Sequence, residues 1–368
     1  MVNAPLNYPI GTIGQPWGQA EKQTWLQTRK IHRSYQDHVV RPLRELANDD
    51  AHSFSKDFEI VQYGELDNKQ GDGDCDSGDD AILPLLAVVP RTLTSGKPTV
   101  LVTGGTHGYE TSGVLGALRF LSSGLANDYV PFLNVVVIPC VCPWGYERVE
   151  RWVATAVDPN RSFGRVSSSA APVSSLSCSD ESLRTEESTK LIHFLDGLKS
   201  SSDSSGIDGG ENDNLINPIQ WLCHIDLHET TNSDFQEFRP AKAARDGLNS
   251  YDDHIPDGFY LVGDSLSNQS EWYNAIINAV ENVTHIAEME SGGTLSGYPA
   301  ESRGLIVVPC RELGLCAGGA VPGAKYVATT EVYPDSERTT SEDCIKAQVE
   351  AVCAAFDYLL EKEVEVSC

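Results

Sequence analysis

From residue 98 onward, the chain contains apolar runs that are too continuous for strands with one solvated face. PTVLVTGG (98–105) and FLNVVVIPCV (132–141) flank TSGVLGALRFL (111–121), whose apolar residues recur at helical spacing. Strands that are apolar throughout are buried on both faces, which requires helices on both sides of their sheet. The pattern predicts a single-domain α/β fold with a central mixed, largely buried β-sheet covered by helices on both faces.

The rest of the chain supplies further elements of the same kind. Strands are expected at Phe58–Tyr63, Ile82–Val89, Trp221–Leu227, Phe259–Val262, Leu305–Val308 and Tyr326–Val332, and helices within 20–48 and at Leu183–Leu198, Ser267–His285 and Ser341–Leu360. Two Ser-rich segments, 166–179 and 200–213, contain few apolar side chains and cannot become ordered alone. We interpret both as surface insertions within one domain, because sheet strands lie on either side of them.

Charge and composition exclude several classes of protein. The net charge of −26 disfavours broad binding to nucleic acid or anionic membranes, and no apolar run is long enough to span a bilayer. The first residues lack the cationic start and apolar run of a signal peptide, and the ten scattered cysteines include no C-x-x-C pair. We therefore expect a cytoplasmic protein. The acidic segment 67–80 lacks the ligand spacing and terminal Glu of a calcium loop and is expected to be a mobile hairpin tip or loop.

The first motif with chemical content is T-H-G-Y-E at 106–110. It directly follows a buried strand, where α/β folds place their ligands. His107 and Glu110 lie three residues apart at the start of a helix, so their side chains can converge on one metal ion. The alternative is structural: a His bonded at the helix start beside a solvated Glu.

The second motif is H-I-D-L-H-E-T-T at 224–231. Strand periodicity places His224, Asp226 and His228 on one face, with His228 at the end of the strand, where it can supply a third metal ligand. We expect His224 to be a core histidine that is hydrogen-bonded to Asp226. For Asp226 itself, orienting a metal-bound imidazole and a direct role stay open.

Two further motifs carry polar groups suited to a substrate. In D-P-N-R at 158–161, Asn160 and Arg161 offer amide and guanidinium donors to a carboxylate or a polarised carbonyl. In T-T-E-V at 329–332, Glu331 ends a late strand, where it can take a proton from metal-bound water and pass it to a leaving amine. Taken separately, each motif also has a purely structural interpretation.

The order of these four motifs resembles the zinc carboxypeptidase family over residues 98–360. The resemblance implies Zn²⁺ held by His107, Glu110 and His228, with Glu331 as general base and acid. By it, 1–97 is an N-terminal helical segment with the first strands, packed on the body, and 98–368 is the catalytic region.

The same resemblance assigns the substrate contacts. Asn160 is implied to hold the terminal carboxylate of the substrate, with Arg161 beside it, and Asp158 to orient a zinc-bound imidazole. Arg151 is implied to polarise the scissile carbonyl, with Arg148 as the alternative. The expected substrate is a small peptide or an N-acyl amino acid.

Several alternatives stay open at this point. D-L-H-E-T-T also resembles the D-L-H-x-T-T of the aspartoacylase and succinylglutamate desuccinylase branch, so an N-acyl amino acid amidohydrolase competes with a carboxypeptidase. A non-catalytic metal-binding module is a third hypothesis, and a second metal near Asp226 or Glu229 is a further one.

The sequence does not determine the oligomeric state or the tyrosine that closes over the substrate. The candidates for this tyrosine are Tyr298, Tyr326 and Tyr333. Additional substrate contacts are conceivable for Arg239, Arg245, Arg303 and Arg311.

Overall fold

The fold was analysed in a computed structural model. It describes residues 3–68, 82–164, 184–200, 217–252 and 254–364. The Ser-rich segment 166–179, the Ser-rich segment 200–213 apart from its first residue, and nearly all of the acidic segment 67–80 lie outside these ranges, so the predictions made for them stay predictions.

A ten-stranded sheet forms the centre of the molecule. In chain order, its strands are β2 (Phe58–Asp67), β3 (Ile82–Pro90), β4 (Thr99–Gly104), β5 (Asn134–Ile138), β8 (Trp221–Glu229), β10 (Tyr260–Asp264), β11 (Thr294–Leu295), β12 (Tyr298–Ser302), β13 (Leu305–Val308) and β14 (Tyr326–Val332). Two small pairs lie apart from it, formed by β1 (Asn3–Pro5) with β9 (Ser250–Asp252) and by β6 (Lys199–Ser200) with β7 (Asn217–Pro218).

The strand order across the large sheet is β11-β12-β13-β10-β14-β8-β4-β5-β3-β2. The central strands β14, β8, β4 and β5 run parallel to one another, whereas β10 and β3 pair antiparallel with their inner neighbours. The sheet is therefore mixed, as predicted. Its parallel centre places the carboxyl ends of β4, β8 and β14 side by side at one edge.

Helices cover both faces of this sheet. They are α1 (Gln19–Gln27), α2 (Arg41–Asn48), α3 (Phe54–Asp57), α4 (Thr111–Ser122), α5 (Leu125–Tyr129), α6 (Pro143–Arg148), α7 (Glu186–Gly197), α8 (Arg239–Arg245), α9 (Ser270–Val280), α10 (Cys316–Gly319) and α11 (Ser341–Lys362). Val100 and Val102 join the apolar cluster under α4, α9 and α11, while Leu101 between them joins a second cluster with α7 and α10. A strand buried on both faces has no solvated side, which explains the uninterrupted apolar runs and confirms the predicted fold class.

The N-terminal part of the chain is integrated into the same body. The helices expected within 20–48 are α1 and α2, and a π-helical turn at Gln36–Val40 directly precedes α2. Trp25 and Leu43 from these helices are buried in the main core. Strands β2 and β3 form an antiparallel hairpin at one side of the large sheet. Among the described helices, none combines the length and apolar character needed to cross a membrane.

A pair of glycines brings α4 into backbone contact with the sheet. A Cβ atom on Gly113 would lie 2.2 Å from the carbonyl oxygen of Leu227 in β8, and one on Gly104 would lie 2.6 Å from the carbonyl oxygen of Gly113. No side chain fits between these backbones. The start of α4 is therefore fixed close above the end of β8.

Gly113→Ala tests this contact. Alanine normally stabilises a helix relative to glycine by about 0.5–1 kcal/mol. At Gly113 the clash should instead lower the free energy of unfolding by about 1–3 kcal/mol. Urea denaturation would measure the change, with Gly197→Ala at the end of α7 as the control, since no atom lies near its added Cβ. Equal stability changes in both variants would contradict the close approach.

Candidate metal centre

The three predicted ligands meet at the carboxyl edge of the parallel strands. His107 and Glu110 lie in the turn between β4 and α4, and His228 lies near the end of β8, the strand beside β4. The turn and the strand end are brought together by the pairing of Gly104 with Leu227. Residues far apart in the chain thus share one small volume because β4 and β8 are neighbours.

The geometry of this triad suits one shared cation. The two oxygens of Glu110 lie 2.7 Å from Nδ1 of His107 and 2.7 Å from Nδ1 of His228. One donor atom from each residue lies within 4.8 Å of the others, and within the described ranges this is the only such cluster of His, Cys, Asp or Glu. All three side chains are buried.

Two outer carboxylates orient the imidazoles. Nε2 of His107 donates to Asp158 Oδ1 (2.9 Å), and Nε2 of His228 donates to Asp226 Oδ2 (2.6 Å). In a neutral imidazole with its proton on Nε2, Nδ1 is the nitrogen that is left to bind a metal ion. Asp226 is itself held by hydroxyl donors from Thr103 and Thr106.

The triad selects positive charge. Burial opposes ionisation of both partners, yet His228 and His107 lower the pKa of Glu110 to about 2. Burial also disfavours a charged His228, but Glu110 and Asp226 on either side raise its pKa well above the usual value. Each of the two oxygens of Glu110 thus faces one imidazole nitrogen at 2.7 Å in a buried site. Two imidazoles and one carboxylate that converge in this way form a donor set that fits a divalent metal ion.

The D-P-N-R turn lies against the triad. Asp158 joins His107 to Arg151, whose Nε lies 3.2 Å from Asp158 Oδ2. Arg151 also donates to the hydroxyl of Tyr109 (3.1 Å) and pairs with Asp234 (3.4 Å). It is half-buried, and it lines a cavity of about 490 Å³ in front of the triad.

Arg148, the alternative to Arg151, lies elsewhere. It is buried, donates to Asn68 Oδ1 at 2.9 Å and stacks on Trp144 with its guanidinium carbon 4.6 Å from the ring centroid. It is not among the residues that line the cavity. Of these two arginines, Arg151 is the one that lines the cavity.

Asn160 and Arg161 also line the cavity. Asn160 accepts a hydrogen bond from the backbone of Cys316 (2.7 Å), and its Nδ2 lies 3.5 Å from His228 Nε2. Arg161 donates to the carbonyl oxygen of Asn160 (2.6 Å). The pair is thus anchored to the triad on one side and to the first residue of α10 on the other.

Glu331 lies one strand away from the ligands. It is the register partner of His228 on β14, and Tyr260 on β10 is its partner on the other side. Loss of hydration raises the pKa of this half-buried carboxyl to about 8, while His228 lowers it and Glu110 raises it further. Thr230 donates to Glu331 Oε2 (2.9 Å), and the Tyr260 hydroxyl lies 3.2 Å from the Thr230 hydroxyl.

One expectation around the second motif needs adjustment. His224 is a buried core histidine, but its direct partner is Thr103 (2.8 Å) rather than Asp226, because the Thr103 hydroxyl lies between them. Burial lowers the pKa of His224 to about 4. Glu229 caps α4 by accepting hydrogen bonds from the backbone of Thr111 (3.0 Å) and of the next residue, and neither it nor Asp226 belongs to a second metal-binding cluster among the described residues.

The residues that line the cavity distinguish among the tyrosines and the additional arginines named as candidate substrate contacts. Of the three tyrosines, Tyr298 lines the cavity and is 47% exposed, whereas the Tyr326 hydroxyl contacts Glu363 and the Tyr333 hydroxyl donates to Asn232. Of the four additional arginines, Arg239 lines the cavity. The other three are engaged elsewhere: Arg245 with Asp246, Arg303 with Glu281 and Glu288, and Arg311 with Asp264.

Several contacts at the site carry no sequence signal of their own. Tyr109 and Asp234 hold Arg151, and Thr230 holds Glu331. Tyr109 and Thr230 lie inside the H-x-x-E and H-E-T-T motifs, so the motifs themselves place them at the site. Asp234 and Tyr260 lie outside the four motifs, and only the fold brings them to the site.

The fold is similar to that of metallo-carboxypeptidases. A protein of Shewanella amazonensis SB2B, named as a candidate metallopeptidase, matches with a TM-score of 0.58 at 17% identity, over 90% of this chain and 99% of that one. A metallo-carboxypeptidase from Burkholderia cenocepacia matches at 0.50 and 13% identity, over 89% and 69% of the two chains. Carboxypeptidase A from Helicoverpa armigera matches at 0.50 and 15%, over 91% and 75%.

At these identities the likeness concerns the fold, and at that level it confirms the resemblance seen in the order of the motifs. No protein-family model matches the sequence, and no curated protein matches it either.

The metal-binding role of the triad can be tested by ligand removal. His228→Ala should reduce bound divalent metal from about one ion per chain to near none, since a protein site of this kind needs three ligands. Elemental analysis after dialysis against the metal measures this. His193→Ala, on the exposed face of α7, serves as the matched control. Full metal content in His228→Ala would exclude the triad.

Proposed function

We propose that this chain is a zinc-dependent hydrolase of the metallocarboxypeptidase type, which cleaves an amide bond next to a free carboxylate. The observation that carries the proposal is the register of β8 and β14. It places Glu331 beside His228 in the cavity that His107 and Glu110 also line. A proton acceptor next to a cation-selecting triad is the arrangement that hydrolysis by activated water requires.

Two imidazoles and one carboxylate form a donor set typical of catalytic zinc sites. When bound, zinc would acidify water toward neutral pH and polarise a carbonyl oxygen. The residues of the chain hold that chemistry in place. With zinc bound, both imidazoles would be neutral and would carry their proton on Nε2, where Asp158 and Asp226 would accept it, and Glu110 would supply the negative charge.

Glu331 is the proposed proton carrier. It accepts a proton from the attacking water and then delivers it to the departing nitrogen, so that the amine leaves neutral. A pKa raised toward neutrality by lost hydration suits a group that must both take and give a proton. Thr230, donating to Oε2, fixes the orientation of the carboxylate.

Arg151 and the Asn160–Arg161 pair are the proposed substrate contacts. Arg151 is held by Asp158, Tyr109 and Asp234, so its guanidinium needs little rearrangement to stabilise the developing oxyanion. Asn160 and Arg161 bind the free carboxylate. Tyr298, exposed at the cavity, is the tyrosine placed to close over the substrate.

The cavity wall beyond Glu331 favours a substrate whose terminal residue, the one that carries the free carboxylate, has an apolar side chain. Val262 pairs with Thr329 of β14 on one side and Ile306 of β13 on the other, and all three line the cavity. Leu313 and Leu315, from the loop directly before α10, complete this wall. A peptide ending in an apolar residue would bury its side chain there.

A second candidate is an N-acyl amino acid amidohydrolase. It is favoured by two further cations at the cavity, Arg239 and Lys242 of α8, which suit a carboxylate on the acyl side.

A substrate panel separates the two activities. We expect peptides ending in Leu or Phe with a free carboxylate to be cleaved, and their C-terminal amides to be cleaved about 10- to 100-fold more slowly, because a charged hydrogen bond is lost. Chromatography of the released products measures the cleavage rates of both the free peptides and their C-terminal amides. Turnover confined to N-succinyl or N-acetyl amino acids would favour the amidohydrolase instead.

The role of Glu331 is tested by Glu331→Gln. Zinc content should be unchanged, while kcat should fall by about 100- to 10,000-fold, because the amide cannot accept the proton. Glu361→Gln, at an exposed site on α11, is the control. Wild-type kcat in Glu331→Gln would reject the assignment, whereas loss of zinc would indicate a structural role.

A further inference from the structure

The turn that carries His107 and Glu110 is held from outside by the N-terminal segment. Arg33 donates through Nη2 to the carbonyl oxygen of Gly108 and through Nη1 to the hydroxyl of Thr111 (2.6 Å). These two acceptors lie on either side of Glu110, one directly after His107 and the other at the first residue of α4. One guanidinium thus spans the whole ligand-bearing turn.

The same guanidinium also binds α6. Its Nε donates to the carbonyl oxygen of Tyr146 (2.7 Å), and its central carbon lies 3.6 Å from the centroid of the Tyr146 ring. Helix α6 presses directly on the turn, since a Cβ atom on Gly108 would lie 1.9 Å from the carbonyl carbon of Gly145. Arg33 therefore joins two backbones that are already in contact.

Arg33 is itself fixed by its own backbone. The amides of His32 and Arg33 both donate to the carbonyl oxygen of Glu147, at 2.8 and 3.2 Å. The next turn is tied to the same residue, because the Tyr35 amide donates to Glu147 Oε1 (3.1 Å). A long side chain anchored at its base and fully engaged at its tip has little freedom to drift.

Two charged groups thus hold the turn from opposite directions. On the sheet side, Glu229 accepts from the amides of Thr111 and Ser112, and on the outer side Arg33 donates to Gly108 and Thr111. His228 lies on a strand and cannot follow a displaced turn. The distance between Glu110 and His228 therefore depends on both groups.

We propose that Arg33 is a positioning residue for the metal centre: by fixing the His107–Glu110 turn against α6, it sets the affinity of the triad for zinc. This inference rests on the proposed function, since it concerns the same triad. It assigns to the N-terminal segment, which carries none of the four motifs, a direct part in building the site.

The test compares zinc affinity in the wild type, Arg33→Ala, Arg33→Lys and a control, Arg41→Ala. Arg41 lies close in the chain, but its side chain is 59% exposed and pairs only locally with Asp37. Competition with a chromophoric chelator gives the dissociation constants. Loss of an outer support typically lowers metal affinity about 10- to 100-fold, and we expect this for both Arg33 variants. Lysine should fail as well, because it cannot reproduce the planar fork.

Rescue distinguishes positioning from general stability. Millimolar methylguanidinium should restore part of the zinc affinity of Arg33→Ala, and excess free zinc should restore its turnover. Neither addition should restore turnover to Glu331→Gln, which keeps its metal but lacks the proton carrier. Circular dichroism and thermal melts establish that each variant is folded, and Arg33→Lys carries the test if Arg33→Ala does not fold.

The outcomes are separable. Wild-type zinc affinity in the folded Arg33 variants, even with a lower melting temperature, would overturn the inference and leave the proposed function intact. A wild-type protein that binds no zinc would overturn the proposed function itself. A matching loss of affinity in Arg41→Ala would show an unspecific effect and would also overturn the inference.

Discussion

The carboxylate of Glu110, buried between the imidazoles of His107 and His228, is the interaction around which the rest of the structure is arranged. An isolated buried carboxylate is costly, and this one is tolerated because an imidazole nitrogen lies 2.7 Å from each of its oxygens. Each imidazole is in turn backed by a second carboxylate. The site is therefore an alternating series of carboxylates and imidazoles, in which each group contacts the next.

Placement of these members comes from the sheet rather than from local chain geometry. Neighbouring parallel strands end at the same edge, so the turn after β4, the end of β8 and the end of β14 meet there. The close backbone contact at Gly113 then fixes α4 above β8. Because side chains alternate along a strand, a slip of one residue between β8 and β14 would turn Glu331 away from His228.

Much of this was legible in the sequence, and what was not has a physical reason. The apolar runs predict the buried strands, and H-x-x-E after such a run predicts a metal-binding turn. Contacts such as those of Asp234 and Tyr260 depend on which strands pair and in which direction, and a linear pattern does not encode that. The partner of His224 was misjudged because the Thr103 hydroxyl comes from a different strand. Net charge was also uninformative about the cavity, where Arg151, Arg161 and Arg239 gather in a chain of charge −26.

The scattering of the ligands along the chain has a consequence for how the protein matures. His107 and Glu110 are made before His228, and Glu331 is made after it, so a nascent chain that ends before His228 offers only part of the predicted ligand set. Long-range parallel pairing is slow to form because long stretches of chain must first close into loops. Tight ion capture would then come after sheet assembly. A metal ion that binds only after the sheet has formed would stabilise the folded state relative to the unfolded state by mass action.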